Sequence, residues 1–196
     1  MPYRTRRRVL NHFPMSEDID LLAHGHGWPI SYSQEKDFER GKGVEVNWEV
    51  SERLTLGYLE SHIANVCCVV AVGQDSEEAE RFITDVEAKL PNRVIDVAEI
   101  LLGIQDDSDP RKLAKSLVQA GFGAPIAFDE QFFKAFEEAS TTHPIHNVRS
   151  IAIASMAYIE WPEFMPVLRT IESTEPNETV RARATLVLRA YEAAEN

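Results

Sequence analysis

The chain has 196 residues, 44% hydrophobic and 27% charged, which fits one or two globular domains and excludes a mainly disordered chain. Thirty-two acidic residues against twenty basic ones leave a net charge of −12. That balance argues against a general nucleic-acid binder, whose affinity comes from neutralising phosphates, and suits a basic protein partner.

The N-terminal run Thr5-Arg6-Arg7-Arg8-Val9-Leu10 has the look of a twin-arginine export signal. Such a signal continues into an apolar stretch, whereas here His12-Phe13-Pro14 and Ser16-Glu17-Asp18 follow, so export is not expected. The arginines at 4, 6, 7 and 8 read as a solvated, poorly ordered tail. Ser16 is placed to cap a short helix, with Glu17 and Asp18 in its first turn and Gly25 at its end. Gly25 to Gly43 mixes glycine, proline, serine and charge and reads as loop. Residues 1–43 are therefore taken as an N-terminal arm with one short helix.

At residue 44 the period changes to two. Val44, Val46, Trp48 and Val50 alternate with Glu45, Asn47 and Glu49, as in a half-buried strand whose polar side faces solvent or a partner. Leu54, Leu56 and Tyr58 continue the period after Ser51-Glu52, and Val66 to Val72 is apolar on both faces, like a central strand. Strands over 44–50, 53–60 and 65–72 predict an antiparallel meander. Ala79, Phe82, Ile83, Val86 and Leu90 then mark a helix over 77–90 that lays its apolar stripe on the sheet and ends at Pro91. Residues 44–93 form a β-β-β-α unit. Cys67 and Cys68 lie in its central strand; adjacent thiols rarely bridge, so they read as small buried hydrophobes in a reducing, cytoplasmic protein.

Residues 94–196 carry helical signals throughout, near 95–104, 110–120, 130–140, 145–160, 163–173 and 177–193. Asp109-Pro110 and Asp129 are N-terminal caps, and Trp161-Pro162 and Glu175-Pro176 mark restarts. A shift of 32 residues superposes Val148-Arg149 on Val180-Arg181, Ala152 on Ala184, Met156 on Leu188, Phe132 on Phe164 and Phe136 on Leu168. Ile100 and Ile104 stand a further 32 upstream. Each hairpin keeps two apolar anchors on its first helix and Val-Arg with a small residue on its second, as expected where neighbours cover each other's apolar stripes. The first hairpin departs from the register: Pro110-Arg111 and Ala114 are offset by 38.

These residues, above all Asn147-Val148-Arg149-x-x-Ala152 and Thr179-Val180-Arg181-x-x-Ala184, resemble short HEAT-type helical repeats over 94–196. The period is shorter than the ~40–47 residues usual for that class. The resemblance implies a stacked array of helical hairpins and, because such arrays mostly bind proteins, a protein partner. The expected class is thus α+β: a small antiparallel meander with a covering helix, followed by an all-α array of stacked hairpins.

No residue pattern names a reaction. His24-Gly25-His26 and His143-Pro144-Ile145-His146 lack a third ligand at a familiar zinc spacing. Gly41-Lys42-Gly43 is too short for a phosphate loop, which needs a following helix. The carboxylate pairs Asp106-Asp107 and Glu137-Glu138 do not face one cleft from adjacent helical positions. Trp28, Trp48 and Trp161 are candidates for packing or for an interface. No cofactor, metal, nucleic acid or membrane is expected, and no apolar run approaches the ~18 residues of a membrane span.

Residues 97–196 hold nine basic and fifteen acidic residues, a net charge of −6. Asp106, Asp107, Glu137, Glu138, Glu172 and Glu175 fall at hairpin ends, where a stacked array would align them into a ridge for a basic partner. The reading is a non-catalytic protein-binding module, in its most concrete form an acidic inhibitor of immunity type that neutralises a basic toxin or enzyme. The alternatives are an enzyme or small-ligand protein with its site where the β unit meets the helices, and an accessory subunit of a larger complex.

Overall fold

The computed structural model describes residues 2–36, 43–61, 65–90 and 93–194. The chain divides between Ile95 and Asp96 into two compact units. The class is α+β, an antiparallel sheet followed by helices.

The first unit contains β1 (Tyr3–Arg4), β2 (Arg8–Val9), α1 (Ser16–Gly25), β3 (Ile30–Gln34), β4 (Val44–Ser51), β5 (Leu54–Ser61), β6 (Val66–Gly73) and α2 (Ser76–Ala88). Strand order is β1-β6-β5-β4-β3, all neighbours antiparallel, with β2 also pairing β6. Register aligns the apolar sets: Trp48 faces Leu56, Tyr58 faces Val69 and Leu56 faces Ala71. Since side chains alternate along a strand, these positions share one face. Ile19 and Ala23 of α1 and Ala79, Ile83 and Val86 of α2 join them in one buried core. Strand β6 is interior, between β5 and the short strands β1 and β2, and is buried at every position except Val72. On β4 the expected polar side is uneven: Glu49 is exposed, while Glu45 and Asn47 are half-buried and hydrogen-bonded to each other at 3.3 Å.

Three expectations for the arm are corrected. The arginine run is no loose tail: Thr5 and Leu10 donate backbone N–H groups to Ala71 and Cys67 at 3.0 and 2.9 Å, extending the sheet past β6. Arg8 is buried and meets Glu87 at 3.0 Å and Glu80 at 3.4 Å on α2, so its charge goes inside with carboxylates around it. Gly25–Gly43 is not all loop, because β3 pairs β4. As an edge strand, β3 leaves Ile30 and Tyr32 exposed as well as the serines beside them, so its short alternation marks no buried face. Ser16 does not cap α1; Met15 stands there with no side-chain bond, and its N–H is taken by the Tyr58 hydroxyl at 3.1 Å. Gly41, Lys42 and Pro91 lie outside the described residues.

The second unit contains α3 (Val97–Gln105), α4 (Pro110–Gly123), α5 (Glu130–Thr141), α6 (His146–Met156), α7 (Phe164–Thr174) and α8 (Glu178–Ala194). They pair as α3–α4, α5–α6 and α7–α8; α4, α6 and α8 form one layer, and α3, α5 and α7 the other. Asp109 and Asp129 each accept two backbone N–H bonds at the helix starts, and Asp96 caps α3. Phe132, Phe136, Val148, Met156, Phe164, Leu168, Val180 and Leu188 are all buried, as the 32-residue register requires. Ala152 and Ala184 are fully buried at matching sites.

The first hairpin solves close approach differently. Ala114 is only half-buried, and the tight contact falls at Gly121, where a Cβ would stand 2.7 Å from the Ser155 carbonyl oxygen. Gly121→Ala is expected to cost about 1–3 kcal/mol in urea unfolding, because backbone of α6 must shift to admit one methyl. Met156→Asp, which buries a charge without a partner, is expected to cost about 4 kcal/mol or more by the same measurement.

Candidate functional site

The helices α3, α5 and α7 are the first members of their hairpins and neighbour one another, so their C-terminal ends share one edge of the second unit. Asp106 is the C-terminal cap of α3 and Asp107 follows it. Glu137 and Glu138 lie near the end of α5, and Glu172 in the last turn of α7. None of these three helices has a basic residue in its last turn. A helix C-terminus carries about half a negative charge and favours cations. Acids therefore stand here against the local helix preference, three times over. Asp106 keeps its charge firmly: hydrogen bonds from the Ser108 side chain and backbone N–H hold its carboxyl below the usual range.

A groove of about 460 Å³ opens at this edge between the first two hairpins. Ile104, Leu113, Ala135 and Ala139 supply apolar wall, and Asp107 and Glu138 line it from opposite hairpins. Lys134 also lines it, tied to Glu130 at 2.7 Å. His143 completes one end, its Nδ1 accepting the Ile145 N–H at 3.1 Å. Apolar wall beside carboxylates matches a lysine or arginine side chain, which packs its stem and extends its charged head.

Of the six acids expected on the ridge, the structure places Asp107 and Glu138 in one groove, with Asp106 beside Asp107. Glu137 is exposed and Glu172 half-buried on the same set of helix ends. Glu175 is the exception and is corrected: it is only 8% exposed. Arg149 grips it with both arms of the guanidinium, Nε at 3.0 Å and Nη2 at 2.8 Å, and the Asn177 N–H donates to it at 2.9 Å. The Arg149 guanidinium, as hydrogen-bond donor, holds the Glu175 carboxyl below its ordinary value. Arg149 also donates from Nη1 to the His143 carbonyl at 2.7 Å, clamping the α5–α6 loop to the α7–α8 loop. Arg181 repeats the loop bond, Nη1 to the Glu175 carbonyl at 2.7 Å, six residues back in both cases. The recurring Val-Arg signalled this clamp, because a side chain kept at a fixed register has a repeated task.

The remaining candidates are packing residues. His26 stacks on Trp28 with ring centres 4.8 Å apart, and Trp28 meets the edge of Phe82. Trp48 is buried in the sheet core. Trp161 is buried, donates to the Ile126 carbonyl at 3.0 Å and stacks on Phe164. Burial pushes the Cys67 thiol up to about 11 and the Cys68 thiol up to about 12, so both are protonated and unreactive at neutral pH. Among the described residues no group of three or more His, Cys, Asp or Glu could hold a metal ion. No described helix is long and apolar enough to cross a membrane.

Comparison with known proteins finds no matching family model, no similar curated protein and no similar solved structure.

The Glu175 clamp has a pH signature. Its folded pKa is depressed, so its stabilisation is present above the unfolded value near 4.5 and is lost as pH falls through the folded one. Glu175→Gln is expected to cost about 3 kcal/mol at neutral pH. The gap between variant and wild type should close progressively below the ordinary carboxylate range, as read from urea midpoints against pH.

Proposed function

We propose that the chain is a non-catalytic protein-binding module, and that the acidic edge of its helical unit receives a basic segment of a partner protein. The observation that carries this reading is the placement of Asp106, Glu137, Glu138 and Glu172 at helix C-termini, where stability alone would favour bases. Residues kept against a local preference point to a task outside the fold. The groove beside them supports the same conclusion, since Asp107 and Glu138 flank apolar wall suited to a lysine or arginine stem.

The helical unit is read as a HEAT-like array, on the 32-residue register, its buried anchors and the repeated arginine bonds. In its most concrete form the module is an inhibitor of immunity type, neutralising a cationic toxin or enzyme in a reducing, cytoplasmic compartment. The net charge of −12 and the two buried thiols support that form.

The test uses an arginine-rich fluorescein-labelled peptide in stopped-flow anisotropy. Lysine at 107, 137, 138 and 172 together (Asp107→Lys, Glu137→Lys, Glu138→Lys, Glu172→Lys) should slow association about tenfold at low salt. At high salt the slowing should be much smaller, because the Debye length falls below ~8 Å. The thermal midpoint should hold or rise, since cations at helix C-termini are favoured. An association rate unaltered at low salt overturns the reading and leaves these acids as solvating surface.

A further inference from the structure

Two loops at the other end of the hairpins, 124–129 between α4 and α5 and 157–163 between α6 and α7, run side by side. Three links join them and the helix ends beside them. A Cβ on Gly121 would stand 2.7 Å from the Ser155 carbonyl oxygen, Phe122 stacks on Tyr158 with ring centres 4.3 Å apart, and Trp161 donates to the Ile126 carbonyl at 3.0 Å. Both loops turn apolar side chains outward. Ile126, Phe128 and Tyr158 are 48%, 45% and 41% exposed, and Ala127 and Pro162 are exposed with them. The fold uses only part of this. Phe128 meets Trp161 edge to face and tilts against Phe133, which accounts for its inner side. Ile126 serves the Trp161 bond through its carbonyl, which any residue would supply. Single exposed apolar residues are ordinary, but adjoining ones on two loops make a patch of the kind that marks an interaction site.

The charge around the patch has one sign. Residues 121–133 and 157–163 include Asp129, Glu130, Glu160 and Glu163 and no lysine, arginine or histidine. Asp129 is engaged in capping α5, whereas Glu160 and Glu163 stand exposed on either side of Trp161-Pro162. The two helices that start at this edge hold one basic residue each, and both are paired: Lys134 with Glu130 at 2.7 Å and Arg169 with Glu192 at 3.3 Å. The helices that end here, α4, α6 and α8, have no basic residue in their last turns.

We propose that this edge is a second docking site, which takes a basic amphipathic helix of a partner protein. The apolar stripe of that helix covers Ile126, Phe128 and Tyr158, and lysines or arginines along its border meet Glu160 and Glu163. Neither loop contains a strand, so neither offers a row of backbone partners to an extended segment. The occupant must bring its own backbone bonds already paired, as a helix does. Charge selects it over a second copy of the chain: two-fold contact at this edge would gather Glu160 and Glu163 of both copies, and like charges repel. The site does not rest on the acidic edge described above. It lies at the start of α5 and that edge at its end, and the twelve residues between put them about 18 Å apart.

The test uses a labelled synthetic helix of about four turns, with leucines on one face bordered by lysines. Its controls are a counterpart with glutamate for each lysine and a scrambled peptide of the first composition. Fluorescence anisotropy near physiological salt should give saturable binding of the basic helix, and binding of either control weaker by about tenfold or more. Ile126→Gln should weaken the basic helix about tenfold, and Glu163→Lys several-fold, the latter loss shrinking at high salt. Circular dichroism melts should match wild type in both, since Gln keeps the carbonyl at 126 and Glu163 makes no capping bond. With lysine at 107, 137, 138 and 172 the basic helix should still bind and still respond to Ile126→Gln. That variant should leave association of the arginine-rich peptide unaltered, so the two sites stand or fail separately. Absence of saturable binding, equal affinity for the scrambled peptide, or equal affinity in Ile126→Gln would overturn the proposal. So would a wild-type dimer in sedimentation, or adhesion to phosphatidylcholine vesicles, that Ile126→Gln abolishes.

Discussion

A two-helix hairpin cannot bury its own apolar stripe, and the second unit depends on that constraint. Phe136 on α5 meets Phe164 of the next hairpin edge to face, and α6, which buries Val148 and Met156, packs on α8, which buries Val180 and Leu188. Stacking then fixes everything at the rims. The helices of one layer run the same way, so their ends gather at common edges, and polar residues at those ends become collective features. The clamp of Arg149 on Glu175 belongs to the same logic. It ties one loop to the next with a two-armed, charge-assisted bond, and so holds the spacing on which core overlap depends.

Edges made this way come with built-in electrostatics. Three parallel helices present three carbonyl termini side by side, and each adds partial negative charge. The acids at 106, 137, 138 and 172 deepen that field. Charge is therefore gathered unevenly over the unit, in a chain whose overall charge is strongly negative. Its net charge describes its solubility better than its surfaces.

Helices and their order were legible because apolar spacing, Asp caps and prolines all pointed the same way; Asp109-Pro110 and Asp129 mark starts that the structure keeps. The meander was legible from the alternation of Val44, Val46 and Trp48. What escaped shares one physical cause, long-range pairing. Arg8 looks like a tail residue until Glu80 and Glu87 arrive from α2, more than seventy positions away. Strand β3 buries no apolar face, since Ile30 and Tyr32 stay exposed, and it is held by bonding to β4. Glu175 resembles its acidic neighbours by type, and only its distance to Arg149 sets it apart. The groove was half legible: Asp107 and Glu138 were singled out by position, but nothing local joins residues 31 apart into one hollow.

The pairing of β1 and β2 with β6 has a consequence for assembly during synthesis. Tyr3 meets Gly73 and Arg8 meets Val69, so β1 and β2 must wait for a strand that emerges much later in the chain. The sheet cannot close until β6 has left the ribosome, and Arg8 cannot be neutralised until α2 has followed. Contacts so distant in sequence make closure slow, whereas the hairpins of the second unit join neighbours and settle quickly once extruded. Strands β1 and β2 are made well before β6 and are ordered only once it follows.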